Sequence, residues 1–361
     1  MSPRLELKGL AKDYDGVAAV RSLDLALAPG EFLSLLGASG CGKSTTLAMI
    51  AGFETPSAGT VVIDGKPVNG VPPGRRRIGM VFQDYAVFSR LTVKGNLAFG
   101  LEAQGVARGE RQARIAAIAA RLELTALLDR RGASLNMSEM QRVAIARVLV
   151  TEPRLLLLDE PMSNLDAGLR ASLRGELKQI QKSLGQTVLY VTHDQVEAMA
   201  MSDRIAVMRQ GVIEQIGTPQ EIYHRPRTRF VAEFIGDPPI NLLPCQVRSS
   251  PREAFVATAL HEVIVLPLRQ APMGSHWLGI RPHELRLTRE KIAGAARTTV
   301  RFVENLGAEH VAYVDYGDAV AAAIMRPGFA APGDAVWASV NAAKVHLIRG
   351  DNDQVVLPEA A

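Results

Sequence analysis

Hydrophobic residues alternate with polar ones at Leu5, Leu7 and Leu10, and again at Leu23, Leu25 and Leu27 ahead of a Pro29-Gly30 turn. Alternation with period two predicts short, half-buried strands. The pattern then tightens into the nearly continuous apolar run Phe32-Leu33-Ser34-Leu35-Leu36, and Leu155–Leu158 repeats it after Pro153. Runs without alternation suit strands covered on both faces, in the middle of a parallel sheet. Gly59–Ile63, Ile78–Phe82 and Thr187–Thr192 predict further strands, and Ile205–Gly211 with Val212–Gln215 a closing hairpin. Between residues 93 and 150 the period becomes helical, with Ile115, Ile118, Ala119 and Leu122 on one stripe and a helix predicted over Arg142–Leu149. The interleaving predicts an α/β fold carrying a helical insertion near 87–150.

A boundary is predicted at Phe234-Ile235-Gly236-Asp237-Pro238-Pro239. Beyond it, Ala254–Ala259, Val263–Leu268, Trp277–Ile280, Thr298–Val303, Val311–Tyr316, Ala335–Val340 and Lys344–Leu347 read as short strands separated by Gly and Pro. Seven such segments predict a small barrel or sandwich. The domains are therefore expected at 1–235 and 236–361.

Composition agrees with an ordinary globular protein of two domains: 361 residues, 47% hydrophobic and 22% charged. The net charge of +4 comes without a basic tail, so no nucleic-acid partner is expected. Cys41 and Cys245 lie far apart and suggest no disulfide framework, which points to a reducing cytoplasm. Met1-Ser2-Pro3-Arg4 does not read as a leader, and no run approaches the roughly 20 apolar residues that span a bilayer. A membrane role is expected to run through a partner.

The chemistry concentrates at Gly37-Ala38-Ser39-Gly40-Cys41-Gly42-Lys43-Ser44-Thr45, between a predicted strand and the helical Leu47–Ala51. Strand, glycine-rich turn and helix make a phosphate-binding loop. Gly37, Gly40 and Gly42 permit a concave nest of backbone N–H groups, and the following helix adds its positive N-terminus. Lys43 can reach the outer phosphates and Ser44 can ligate Mg²⁺. A nucleoside triphosphate is the expected ligand. Asp159, at the carboxyl end of the leucine run, is placed to hold Mg²⁺ through water, and Glu160 to polarise an attacking water. Gln83 ends another strand and can coordinate Mg²⁺ or orient water. His193 ends a third and can reach a γ-phosphate. Tyr14 is either a base-stacking aromatic or a half-buried strand tyrosine, and Arg75-Arg76-Arg77 reads as a solvated turn.

Taken together, these motifs resemble the ATP-binding subunits of ABC transporters over essentially the whole chain. The resemblance implies an adenine-stacking role for Tyr14, a Walker A loop at Gly37–Thr45 and a Q-loop glutamine at Gln83. It further implies a Walker B aspartate at Asp159, a catalytic glutamate at Glu160, a D-loop at Ser163-Asn164-Leu165-Asp166 and a switch histidine at His193. Residues 230–243 look like the junction in importer ATPases for maltose, glycerol phosphate and related solutes. Gly279–Glu284 and Val303–Glu309 are similar to their C-terminal oligonucleotide-fold regulatory domain. Polyamine, iron and phosphonate importers are the alternatives, as is a weakly active ATP-binding subunit of a heterodimeric pair. The family places Leu-Ser-Gly-Gly-Gln, which reaches across a dimer to the partner's nucleotide, where this chain has Leu135-Asn136-Met137-Ser138-Glu139. Implied partners are membrane permease subunits docked near Gln83–Val93, a second ATPase subunit, either identical or different, and indirectly a solute-binding protein. The implied location is peripheral, on the cytoplasmic face of the inner membrane.

Overall fold

The computed structural model describes residues 2–249, 253–261, 264–266 and 273–356. Two compact units divide at Pro219/Gln220.

The first unit opens with strands β1 (Leu5–Tyr14), β2 (Val17–Leu27) and β3 (Phe32–Leu36), then helix α1 (Lys43–Ala51). Strands β4 (Ala58–Ile63), β5 (Lys66–Pro67) and β6 (Ile78–Val81) follow. Helices α2 (Val93–Ala103), α3 (Arg108–Arg121) and α4 (Met137–Leu149) fill the stretch with helical period. The unit closes with β7 (Leu155–Asp159), α5 (Ala167–Leu184), β8 (Val188–Thr192), α6 (Gln195–Met201), β9 (Arg204–Arg209) and β10 (Val212–Gly217). One antiparallel sheet runs β2-β1-β4-β5, and a larger one runs β10-β9-β3-β8-β7-β6, with every pair from β9 to β6 parallel.

The leucine run explains the layering. Leu155 and Leu157 point into a core shared with α1 and the leucines of β1 and β2, while Leu156 and Leu158 point into the core of α2 to α5. Leu189 and Val191 divide from Val188 and Tyr190 in the same way. A strand with helices or a second sheet over each face needs apolar residues at every position. Register then aligns the carboxyl ends: Leu36 lies opposite Thr192, Asp159 opposite Val191, and Val81 opposite Leu158. The loops leaving these strands therefore meet along one edge, where open α/β sheets bind ligands.

The second unit begins with short helices α7 (Pro219–His224) and α8 (Arg229–Phe234), ahead of the boundary expected at 235. The buried Arg281 guanidinium explains their membership, since it donates to the carbonyls of Ala232, Ile235 and Tyr223. Strands follow at β11 (Asn241–Ser249), β12 (Ala254–Thr258), β13 (Ile264–Leu266), β14 (Gly274–Ile280) and β15 (Leu285–Thr288). The remainder are β16 (Ala296–Asn305), β17 (His310–Tyr316), β18 (Ala319–Met325), β19 (Ala335–Val340), β20 (His346–Arg349) and β21 (Val355–Val356). Two antiparallel sheets, β13-β12-β11-β14-β20-β21 and β15-β19-β16-β17-β18, enclose one core. Of the strand expected at Val263–Leu268, residues Val263, Pro267 and Leu268 lie outside the described residues. Four of the described strands of this unit went unpredicted, β11, β15, β18 and β21.

Candidate active site

The loop between β3 and α1 is a cradle that only glycine permits at two points. A Cβ on Gly37 would lie 2.4 Å from the Met208 carbonyl oxygen, and one on Gly42, at φ 103°, 2.4 Å from that of Ala19. Gly40 also has positive φ, at 78°. Lys43 is buried and its Nζ donates to the carbonyls of Gly37 at 2.8 Å and Ala38 at 2.9 Å, so its charge sits inside the loop. Thr46 donates its hydroxyl to the Gly42 carbonyl and seals the first turn of α1. Ser39 is exposed and Thr45 half-buried. The Cys41 thiol packs into the core behind the loop, where burial raises its pKa above the ordinary thiol value. Among the loop's side chains, Ser44 is the one facing Asp159.

Ser44 Oγ and Asp159 Oδ1 lie 3.2 Å apart. Burial pushes the Asp159 carboxyl above the usual carboxylate range, and the Ser44 hydrogen bond partly offsets this. Next along β7, Glu160 Oε2 meets His193 Nδ1 at 3.0 Å. Glu160 adopts φ 44°, a left-handed conformation that costs a non-glycine residue on the order of 1 kcal/mol. Its N–H donates to the Val191 carbonyl of β8, which keeps it there. Asn164 Nδ2 donates to the Gln83 carbonyl at 3.3 Å, joining the segment after β7 to the one after β6. The Gln83 side chain is exposed. Tyr14 stands at the β1–β2 hairpin tip, 42% exposed, with Lys12 Nζ 4.7 Å from its ring centre.

Of the expected loop Leu135–Glu139, residues from Met137 onward instead form the start of α4. Asn136 is its N-cap and accepts from the Glu139 N–H, while the Glu139 carboxylate accepts from the Asn136 N–H, both at 2.9 Å. Arg130 holds that carboxylate at 3.0 Å. Met137 is exposed and Ser138 buried. The Asn-x-x-Glu spacing is a sequence signal for such a capping box.

Sequence reasoning also missed Asn96. Fully buried on α2, it accepts from the Phe88 N–H at 2.8 Å and donates to the Phe88 and Thr92 carbonyls, both at 3.0 Å. Arg147 of α4 donates to the Ala86 carbonyl and, at 3.4 Å, to that of Tyr85. The segment after Gln83 is thereby tied to two helices. Asparagine on an apolar helix face was the available signal.

A glycine cradle, a buried lysine, a Ser–Asp pair and a Glu–His pair along one sheet edge define a P-loop nucleotide hydrolase of the ABC type. Residues 20–163 match the ABC transporter family, and residues 278–348 match the TOBE domain. The sn-glycerol-3-phosphate import ATP-binding protein of Rhizobium johnstonii is 39% identical over 99% of this chain and 96% of its own length. That of Cupriavidus necator is 42% identical over 96% and 98%. A spermidine/putrescine import ATP-binding protein of Frankia alni is 54% identical over 68% of this chain and 53% of its own. Among solved structures, a component of an ABC transporter complex from Clostridium perfringens aligns with TM-score 0.58 and 32% identity, over 62% of this chain and 91% of that one. A dimeric ATP-binding cassette in a post-hydrolysis state with ADP and Pi aligns with TM-score 0.53 and 31% identity, over 60% and 98%. The chain belongs to the family of ATP-binding subunits of ABC-type importers.

Proposed function

We propose that this chain is the ATP-hydrolysing subunit of a solute importer, and that its solute is of the glycerol-phosphate or sugar type. The Glu160–His193 pair beside the phosphate cradle carries the reading. In it, the Gly37–Thr45 amides and Lys43 bind the phosphates, Tyr14 stacks on the base, and Glu160 orients and polarises the attacking water while His193 fixes the glutamate and meets the γ-phosphate. The donors near the phosphates are all oxygens: the Ser44 hydroxyl, the Asp159 carboxylate and the Gln83 amide. That set suits Mg²⁺, which neutralises phosphate charge when bound. Near-complete alignment with two glycerol-phosphate relatives supports the solute class. Among the described residues no helix is long and apolar enough to cross a membrane, which fits a peripheral subunit working on the cytoplasmic face through permease partners. Phe88 and Leu91 are exposed beside the tied segment, and Phe99 packs on Phe88 at 4.7 Å between ring centres. This surface suits a short permease helix, although Tyr85, expected to share it, is buried in the helical core. Uptake of labelled sn-glycerol 3-phosphate and of labelled maltose by cells with and without the chain tests the solute. Loss of neither refutes the assignment.

The Asn136–Glu139 capping box favours pairing with a different ATPase. Its carboxylate sits in the first turn of α4, where a free helix N-terminus would receive an anion. Two copies of this chain would leave both composite sites without that contribution. A partner with the family's uncharged loop would complete the site built on Lys43, Asp159 and Glu160.

A further inference from the structure

Glu160 and His193 sit on separate loops, and Arg170, in the first turn of α5, grips both. One guanidinium nitrogen donates to the Leu165 carbonyl at 2.9 Å, within the segment that follows Glu160. Another donates to Asp194 Oδ2 at 3.1 Å, the residue after His193. Its Nε is buried without a hydrogen bond, 3.8 Å from the Glu197 carboxylate. Asp194 Oδ1 caps α6 by accepting from Val196 and Glu197 N–H groups. On the other side of His193, the Thr192 hydroxyl donates to Glu197 at 2.7 Å and accepts from the Asp194 N–H at 2.9 Å. The wholly buried Tyr190 donates to the same Glu197 oxygen at 2.7 Å. His193, about half exposed, is thus held by pinned neighbours on both sides.

We propose that Arg170 is a positioning residue for hydrolysis, holding the Glu160 loop and the His193 loop in the register at which the two side chains meet. The inference rests on the roles proposed for that pair. Capping α6 alone does not require it, because Asp194 caps through its other oxygen. The planar fork reaches acceptors on two loops with separate nitrogens in a fixed geometry, which an ammonium lacks. A displacement of 1 Å at a reacting group costs up to about 100-fold in rate.

The test uses the full-length chain. Arg170→Gln is expected to lower kcat by about 10- to 100-fold with the ATP dissociation constant within about twofold, since the Lys43 cradle is untouched. Arg170→Lys recovers part of the rate. In a His193→Ala background, Arg170→Gln costs no more than about twofold further, because the group it positions is gone. The ¹⁵N resonance of His193 Nδ1, assigned by its loss in His193→Ala, loses its hydrogen-bonded shift in Arg170→Gln, and this reading needs no turnover. Full kcat in Arg170→Gln, losses that multiply in the double variant, nucleotide affinity falling as far as kcat, or an unmoved His193 resonance would each overturn the inference. Wild-type hydrolysis by Glu160→Gln would instead fault the reading of the pair itself.

Discussion

Rebuilding the start of α4 sets activity against stability. The variant replaces Asn136 with Ser, Met137 with Gly, Ser138 with Gly and Glu139 with Gln, which restores the family's loop. Serine keeps an N-cap oxygen, so that contact survives. Two glycines in the first turn each cost up to about 1 kcal/mol of helix stability. Losing the Glu139 charge removes both its favourable place at the helix N-terminus and its 3.0 Å pairing with Arg130, about 0.5 kcal/mol more at this exposure. The first unit should therefore lose about 2 kcal/mol, which for a domain near 200 residues lowers Tm by about 4–8 °C. Activity should move the other way. With the Glu139 charge gone, the N–H groups of the first turn can receive an anion, and one well-placed donor to a transition state is worth roughly 100-fold. ATP hydrolysis by the purified chain alone should rise at least about tenfold. Calorimetry and a coupled ATPase assay on the same preparation read both effects. A folded variant that binds ATP and hydrolyses it no faster would refute the claim that the Glu139 carboxylate and the missing glycines disable this loop.

Two further expectations concern what positions the rest. His346 is buried in the second unit with its Nε2 donating to the His224 carbonyl at 3.2 Å and its Nδ1 without a partner, so burial lowers its pKa from 6.5 to about 4. The hydrogen bond to the His224 carbonyl opposes this, while the charges of nearby Arg281 and His224 reinforce it. The unfolded imidazole takes its proton near 6.5 and the folded one only near 4, so stability is complete above pH 6.5 and is lost as pH falls towards 4. The shift corresponds to about 3 kcal/mol. Urea midpoints of the second unit's transition should show that slope, and His346→Gln should flatten it. A wild-type midpoint constant over this range would contradict the burial argument. Asn96→Ala should cost about 1–2 kcal/mol by removing its hydrogen bonds to the part-buried Phe88 N–H and carbonyl, read in denaturant melts. It should also reduce solute uptake more than ATP hydrolysis, because it loosens the segment proposed to dock the permease and leaves the cradle intact.

Much of the first unit was legible because its strongest signals are local. Phe32–Leu36 and Leu155–Leu158 read as doubly covered strands, and the structure divides their side chains between two cores. The phosphate loop declares itself through glycines that a Cβ would block at Gly37 and Gly42. The second unit was harder. Strand β18 is Ala-Val-Ala-Ala-Ala-Ile-Met, whose alanines favour helix, and only pairing along β17 makes it a strand. Strand β11 contains Pro244, which argues against a central strand, yet β12 pairs only from Cys245 onward and leaves the proline clear of that ladder. Arg147 and Arg170 escaped for a different reason. Their partners are backbone carbonyls or carboxylates brought near by folding, and no spacing in the chain marks them.

In the proposed reading, Glu160 performs the chemistry on ATP held by the Gly37–Thr45 cradle. Its most direct test measures hydrolysis and nucleotide binding together in Glu160→Gln, with Lys43→Ala as the contrast. Glu160→Gln should bind ATP with unchanged affinity and lose at least about 99% of its turnover, since the amide keeps the shape and loses the base. Lys43→Ala should lose binding itself by removing a charge-assisted contact. Turnover by Glu160→Gln at the wild-type rate would contradict the account.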